Sequence, residues 1–172
     1  MIVILETQRL ILRKFTIEDA YLIWQLNFDP EVTRFTYDPI RDIDHAREVL
    51  EKTILPQYQF YNHGRWAVHL KADKEFIGWC GLKYRPEMKE VDLGYRFRKE
   101  FWGNGYATEA AIACIQYGFE KLNIQRIVGR AEPDNLGSIK VLEKCGMKYI
   151  RDEFVEGHTA KTYDILAPLI NP

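Results

Sequence analysis

The order in which apolar and polar positions change period along the chain lays out a series of elements. Gln8 to Lys14 alternates closely enough to form a strand. Thr16-Ile17-Glu18-Asp19 has the capping pattern of a helix start, and the helix runs to about Asn27 before Asp29-Pro30 ends it. A second helical stretch from about Asp44 to Gln59 carries Ala46, Val49 and Leu50 on one stripe, and Pro56 should end or kink it. Its aromatic tail, Tyr58, Phe60 and Tyr61, suits a substrate-side wall. Arg65 to Lys71, Glu75 to Lys83 and Lys89 to Arg98 then read as three strands of an antiparallel meander, joined at Ala72-Asp73-Lys74 and Arg85-Pro86-Glu87.

Next comes Arg98-Lys99-Glu100-Phe101-Trp102-Gly103-Asn104-Gly105-Tyr106-Ala107-Thr108-Glu109-Ala110, a glycine-bearing turn feeding an alanine-rich helix to about Leu122. Glycines let a backbone approach an anion, and the free N–H groups and positive end of a helix stabilise charge there, so the turn suits a pyrophosphate. It fails the Walker pattern, because no Gly-Lys-Ser/Thr follows, and the dinucleotide fingerprint, because Thr108 stands where a third glycine belongs. Ala107, Ala110, Ala111, Cys114, Tyr117 and Gly118 give the helix a small-residue face for close packing on a sheet. A strand from Gln125 to Ala131 follows, so the two strands flanking this helix should pair in parallel or splay apart. A short helix from Leu136 and strands near Met147 to Val155 and Ala160 to Leu166 complete a mixed α+β fold, with residues 1–172 forming one domain.

A second motif, Asn135-Leu136-Gly137-Ser138-Ile139-Lys140-Val141-Leu142-Glu143-Lys144-Cys145-Gly146-Met147, has Asn135 as a cap, Val141, Leu142 and Cys145 on one stripe, and Gly146 where a left-handed residue is wanted. With the glycine turn it resembles motifs A and B of the GNAT acyl-CoA-dependent N-acetyltransferases, most closely the subgroup of ribosomal-protein N-terminal acetyltransferases. The resemblance extends from Leu5-Glu6-Thr7-Gln8-Arg9-Leu10-Ile11-Leu12-Arg13 through Asp92-Leu93-Gly94-Tyr95 to Tyr163-Asp164-Ile165-Leu166. It implies the GNAT fold, a mostly antiparallel sheet of about seven strands with about four helices. It also implies acetyl-CoA as co-substrate, its pantetheine held by backbone near Phe97 and its pyrophosphate by the amides of Gly103, Asn104, Gly105, Tyr106 and Ala107. Trp102 departs from the Gln or Arg usual at the head of that pattern. Asn135 is implied to touch the CoA arm, and Lys140 and Lys144 either meet the adenosine phosphates or are solvated charges.

Acetyl transfer to an amine also requires a base for a substrate ammonium and stabilisation of the departing thiolate. Asp92 matches the acidic position before the family's Gly-Tyr and is the first candidate base, weighed against a neutralised surface carboxylate. Glu100 is the second, while Glu109 reads as a solvated or capping charge. Many relatives have a general-acid Tyr at the position of Leu142, leaving Ser138 as the polar group in the right segment; a Ser in a first helical turn otherwise bonds the backbone. The leading acceptor is a protein N-terminal α-amine, such as that of a ribosomal protein. The alternatives are a small amine (polyamine, amino acid or aminoglycoside), or a sensor that binds acyl-CoA without turnover.

Lys and Arg total 24 against 25 acidic residues, so the net charge of −1 offers no general attraction to nucleic acid or membrane. The N-terminus lacks a basic region and nothing approaches about 20 consecutive apolar residues, which suggests a cytoplasmic protein, monomeric or homodimeric. Cys80, Cys114 and Cys145 read as buried thiols. His45, His63, His69 and His158 show no metal-ligand spacing, so no metal is implied, and His69 reads as half-buried and structural.

Overall fold

A computed structural model describes residues 2–169 of the chain. The first seven residues of the N-terminal motif fold back on themselves: β1 (Val3–Glu6) pairs antiparallel with β2 (Leu10–Arg13) around a turn closed by Thr7 N–H donating to Leu10 O at 3.0 Å. The expected strand from Gln8 to Lys14 is β2, and β1, which was not expected, precedes it, so the sheet has eight strands where about seven were expected. Leu10 and Leu12 are fully buried, and Arg13 reaches back to clamp Asp19 with two hydrogen bonds of 2.7 and 2.9 Å. Asp19 in turn accepts from Thr16 N–H at 2.7 Å, so the expected capping interaction opens the first helix through a 3-10 turn into α1 (Ala20–Phe28).

The second helical stretch is not a simple kinked helix. α2 (Ile43–Val49) passes through a π turn, Leu50–Ile54, into α3 (Leu55–Tyr61), and Pro56 lies at the start of α3. The widened turn places the proline in a first turn, where its missing N–H costs little. The two segments therefore continue as one bent rod, giving four helical bodies among the described residues.

β3 (Arg65–Leu70), β4 (Phe76–Arg85) and β5 (Glu90–Phe97) form the expected meander, and β2 joins it through β3. After α4 (Tyr106–Lys121) the chain returns in β6 (Arg126–Ala131), parallel to β5. α5 (Leu136–Lys144) then leads to β7 (Lys148–Val155) and β8 (His158–Leu166), and β8 inserts between β6 and β7. One face of the sheet packs against α4 and α5. Ala110, Ala111, Cys114 and Gly118 of α4 are buried there, and a Cβ on Gly118 would lie 2.6 Å from a Leu82 methyl, so only glycine permits this approach. The other face carries α1 to α3 over β2 to β5, with Phe15, Ile23, Leu26, Leu50 and Phe76 in its core.

On that second face Asp92 is buried and both carboxylate oxygens are taken: Arg65 donates to Oδ1 at 2.6 Å and Arg85 to Oδ2 at 2.7 Å. Burial opposes the charge, but the two guanidiniums outweigh it and hold Asp92 below the usual carboxylate range. A folded-state pKa below the unfolded value stabilises the protein above about pH 3.9, and that contribution disappears as pH falls through the native value. Asp92→Asn strands two arginines, and is expected to cost about 3 kcal/mol at neutral pH and to flatten the acid limb of stability. Urea unfolding between pH 3 and 8 measures both; an unchanged midpoint at pH 7 would show that the cluster contributes nothing.

Candidate active site

β5 and β6 pair only from Val91 with Ile127 to Leu93 with Gly129, although β5 continues to Phe97 and β6 to Ala131. Each strand keeps its outer neighbour: Phe97 still pairs with Gly78, and Ala131 with Lys161. The sheet therefore opens as a wedge beyond Leu93. Arg98 N–H donates to Ile77 O at 2.9 Å, which fixes the antiparallel alternation so that Arg96 and Gly94 bond to β4 while Tyr95 and Phe97 turn their N–H and C=O toward the wedge. The Phe97 carbonyl accepts instead from the Trp102 indole N–H at 2.8 Å. The remaining edge of β5 is built to pair with an extended amide-bearing chain.

At the wide end of the wedge the glycine turn meets α4. Gly103 and Gly105 adopt φ of 77° and 78°, a region L-residues seldom enter. The first helical bond of α4 returns from Glu109 N–H to Gly105 O at 3.0 Å, so the amides of Tyr106, Ala107 and Thr108 have no helical carbonyl to bond. The amides of Gly103, Asn104 and Gly105 likewise donate to no other group among the described residues. This succession of free donors at a helix N-terminus is an anion cradle.

Across the wedge, α5 begins with the Asn135 side chain accepting from Ser138 N–H at 3.2 Å, the expected cap, and ends on Gly146 with φ of 82°. Ser138 does more than bond the backbone: its Oγ lies 2.9 Å from the Tyr95 hydroxyl, which also donates to Ser138 O at 2.9 Å. Burial pushes the Tyr95 phenol well above its usual range, so it stays protonated, its proton on Ser138 O and its oxygen open to the Ser138 hydroxyl. Leu142 is buried, and a Cβ on Gly129 would sit 2.6 Å from its methyl, so this leucine packs directly on β6 where its pairing with β5 ends. Lys140 and Lys144 are exposed on the outer side of α5. Cys145 is half-buried, and desolvation pushes its thiol up to about 12, which leaves it unreactive.

The two candidate bases are not placed as expected. Asp92 lies on the second face before the wedge opens, buried and ion-paired with Arg65 and Arg85, which hold it as a weak base away from the wedge. Glu100 is exposed and pairs with Arg98 on the outer surface of the turn Lys99–Phe101. A carboxylate that period reasoning passed over is better placed. Glu132 directly follows β6 and accepts from the Tyr37 hydroxyl at 2.8 Å; the Tyr37 ring stacks on His158 of the β7–β8 hairpin with centroids 4.0 Å apart. Tyr37 and Glu132 are 95 residues apart, so only the fold reveals the pair. The wedge-side charges around them are matched: Arg96 pairs with Asp38, and Arg130 with Glu90 and Glu153. Beside the same hairpin, Phe60, Tyr61, Lys83, Arg85 and Glu156 line a groove of about 310 Å³. Tyr58 is not part of that wall, since its hydroxyl accepts from Phe15 N–H and donates to Arg65 O.

Residues 9–148 match the model of the acetyltransferase (GNAT) domain. The uncharacterized N-acetyltransferase p20 of Bacillus licheniformis is 36% identical over 147 residues, covering 84% of this chain and 82% of that protein. Among solved structures, an acetyltransferase from Agrobacterium tumefaciens superposes with a TM-score of 0.82 at 26% identity, over 96% of this chain and 94% of that one. RimL, a ribosomal L7/L12 α-N-protein acetyltransferase solved with coenzyme A, has the same fold at a TM-score of 0.80 and 18% identity, over 96% and 98% of the two chains. The chain belongs to the GNAT acetyltransferase family. It is an N-acetyltransferase of the class that transfers acetyl groups from acetyl-CoA to amines, and no helix among the described residues is long and apolar enough to cross a membrane.

Proposed function

We propose that the chain acetylates the α-amine of a polypeptide N-terminus, of the ribosomal-protein kind, by direct attack on acetyl-CoA bound in the wedge. The observation that carries the cofactor half is the unpaired β5 edge running into the free amides of the glycine turn. On this reading the pantetheine pairs with the backbone of Tyr95 and Phe97, and Gly103 to Ala107 hold the pyrophosphate. Asn135 shapes the α5 end against the arm. Alignment by these fixed groups supplies much of the rate enhancement. Ser138, held in place by Tyr95, faces the departing sulfur.

The acceptor half rests on charge. The carboxylates of the open face are ion-paired with arginines, whereas Glu132 meets only the Tyr37 hydroxyl. An α-amine, with pKa near 7.7–8.0 against about 10.4 for a lysine-like nitrogen, asks little of a base such as Glu132. The groove beside the β7–β8 hairpin, with aromatic walls and charges of both signs, has room for residues following an N-terminus. Glu132 acts on the amine directly or through a water.

Three outcomes test this reading. Gly105→Val should raise the coenzyme A Kd by about tenfold or more, because Val resists the turn's φ and its branches crowd the phosphate; unchanged calorimetric affinity in a folded variant removes the cofactor assignment. Ser138→Ala should lower kcat by about tenfold while leaving KM for acetyl-CoA nearly unchanged, the mark of an interaction made in the transition state. A change confined to KM would make Ser138 a binding residue. Glu132→Gln should slow peptide N-terminal acetylation by about tenfold near pH 7 and progressively less toward pH 9, where free α-amine predominates. A flat ratio across pH, or turnover of spermidine but no peptide, would reject the base or the acceptor respectively.

A further inference from the structure

The N-terminal Thr7-Gln8-Arg9 sequence lies at the turn between β1 and β2, far in sequence from the glycine turn but in direct contact with it. Arg9 Nε donates to Glu109 Oε2 at 2.6 Å, Arg9 Nη1 donates to the Asn104 carbonyl at 3.0 Å, and the guanidinium lies over the Tyr106 ring at 4.4 Å. The other Glu109 oxygen accepts from the Arg9 amide at 2.9 Å and from the Thr7 hydroxyl at 2.6 Å, and Thr7 Oγ1 itself accepts from Leu10 N–H at 3.0 Å. Glu109 is therefore neither a solvated charge nor a simple cap. Partial burial opposes its ionisation, but Thr7 and Arg9 hold it below the usual range, so the anion persists at neutral pH.

These contacts have an odd distribution for a brace that only stabilises the fold. They converge on Asn104, Tyr106 and Glu109, the residues that alternate with or follow the two left-handed glycines, and on none of the buried face of α4. Turning the Asn104 carbonyl toward Arg9 directs the N–H of the same trans peptide, that of Gly105, to the opposite side. One donor of the guanidinium, Nη2, bonds nothing among the described residues and lies 3.6 Å from the position a Cβ on Gly105 would occupy, at the rim of the cradle. Arginine suits this role because its planar fork can satisfy a carboxylate, a carbonyl and an external oxygen at once, whereas a lysine ammonium cannot keep that geometry.

Resting on the acetyl-CoA reading above, we propose that Arg9 is a positioning residue for the acyl donor. Held by Thr7 and Glu109, it fixes the glycine turn in its phosphate-receiving shape and presents its remaining donor to a phosphate oxygen. The β1–β2 hairpin is then part of the cofactor site, and its effect is confined to donors that carry the pyrophosphate.

That confinement supplies the test. Coenzyme A affinity is measured by calorimetry, and turnover is compared between acetyl-CoA and S-acetylpantetheine, which has the same thioester and arm but no phosphate. Arg9→Gln should raise the Kd for coenzyme A by about tenfold or more. Its kcat at saturating acetyl-CoA and its kcat/KM for S-acetylpantetheine should stay within about twofold of the parent enzyme. Arg9→Lys should recover only part of the loss, because the charge returns without the fork, and Glu109→Gln, which keeps Arg9 but loosens it, should show the same phosphate-dependent pattern in a smaller degree. Equal losses on both donors would mean a general folding role, and an unchanged Kd in Arg9→Gln would overturn the proposal while leaving the cofactor assignment intact. A parent enzyme that binds no coenzyme A would instead remove the cofactor reading and this inference with it.

Discussion

The proposed site depends on two parallel strands that stop pairing halfway. Between Leu93 and Phe97 on one side and Gly129 and Ala131 on the other, backbone groups that would complete a sheet are left for something else. Unpaired backbone polar groups are costly when buried, and they are tolerated here because the wedge is open to solvent and because the Trp102 indole takes the Phe97 carbonyl. The separation is maintained from both sides. The antiparallel ladder to β4 holds β5 and the ladder to β8 holds β6, while Leu142 packs on Gly129 where the pairing ends.

The same split explains the division of labour between the two faces. On the α4 and α5 side, small residues bring the helix close to the sheet and aim the α4 N-terminus at the mouth of the wedge, which gives a site for a long anionic cofactor arm. On the other side, arginine–carboxylate clusters carpet the sheet where no helix covers β6 to β8. Isolated exposed pairs contribute little, but Arg130 between Glu90 and Glu153, and Asp92 between Arg65 and Arg85, are shielded and multiply bonded. The Thr162 hydroxyl, followed by the Arg151 and Arg130 guanidiniums, more than offsets desolvation at Glu153 and holds that carboxyl down to about 2. Such clusters lock the surface electrostatically, whereas Glu132 has the Tyr37 hydroxyl and, among the described residues, no arginine partner.

Much of this was legible in the residues. Period and turn chemistry located the meander, the glycine turn, the crossover helix and the capped α5, and strand–helix–strand order anticipated the parallel pair. Three features were not legible, each for a physical reason. β1 is too short and too close to β2 for its own period to register. Pro56 reads as a breaker, whereas a π turn before it converts its position into a helix start. Asp92 stands where an acidic family position is expected, but its environment is set by Arg65 and Arg85 arriving from β3 and β4, and register places those arginines around it only after the sheet has formed.

Local sequence thus states which groups are present, while the sheet decides which of them remain free, and a catalytic carboxylate has to be free. By that criterion Asp92 is committed to its ion pairs, and the groups proposed above to act lie at the ends of elements: Glu132 just past β6, Ser138 in the first turn of α5, Tyr95 near the end of β5. Such positions escape the ladders and helical bonds that consume polar groups within elements. They are nonetheless held by neighbours from distant segments, Tyr37 for Glu132 and Tyr95 for Ser138, so their geometry is fixed before a substrate arrives. Arg9 and Glu109 apply the same logic to the glycine turn, where the loop is irregular enough to offer its amides and braced enough to offer them in one arrangement.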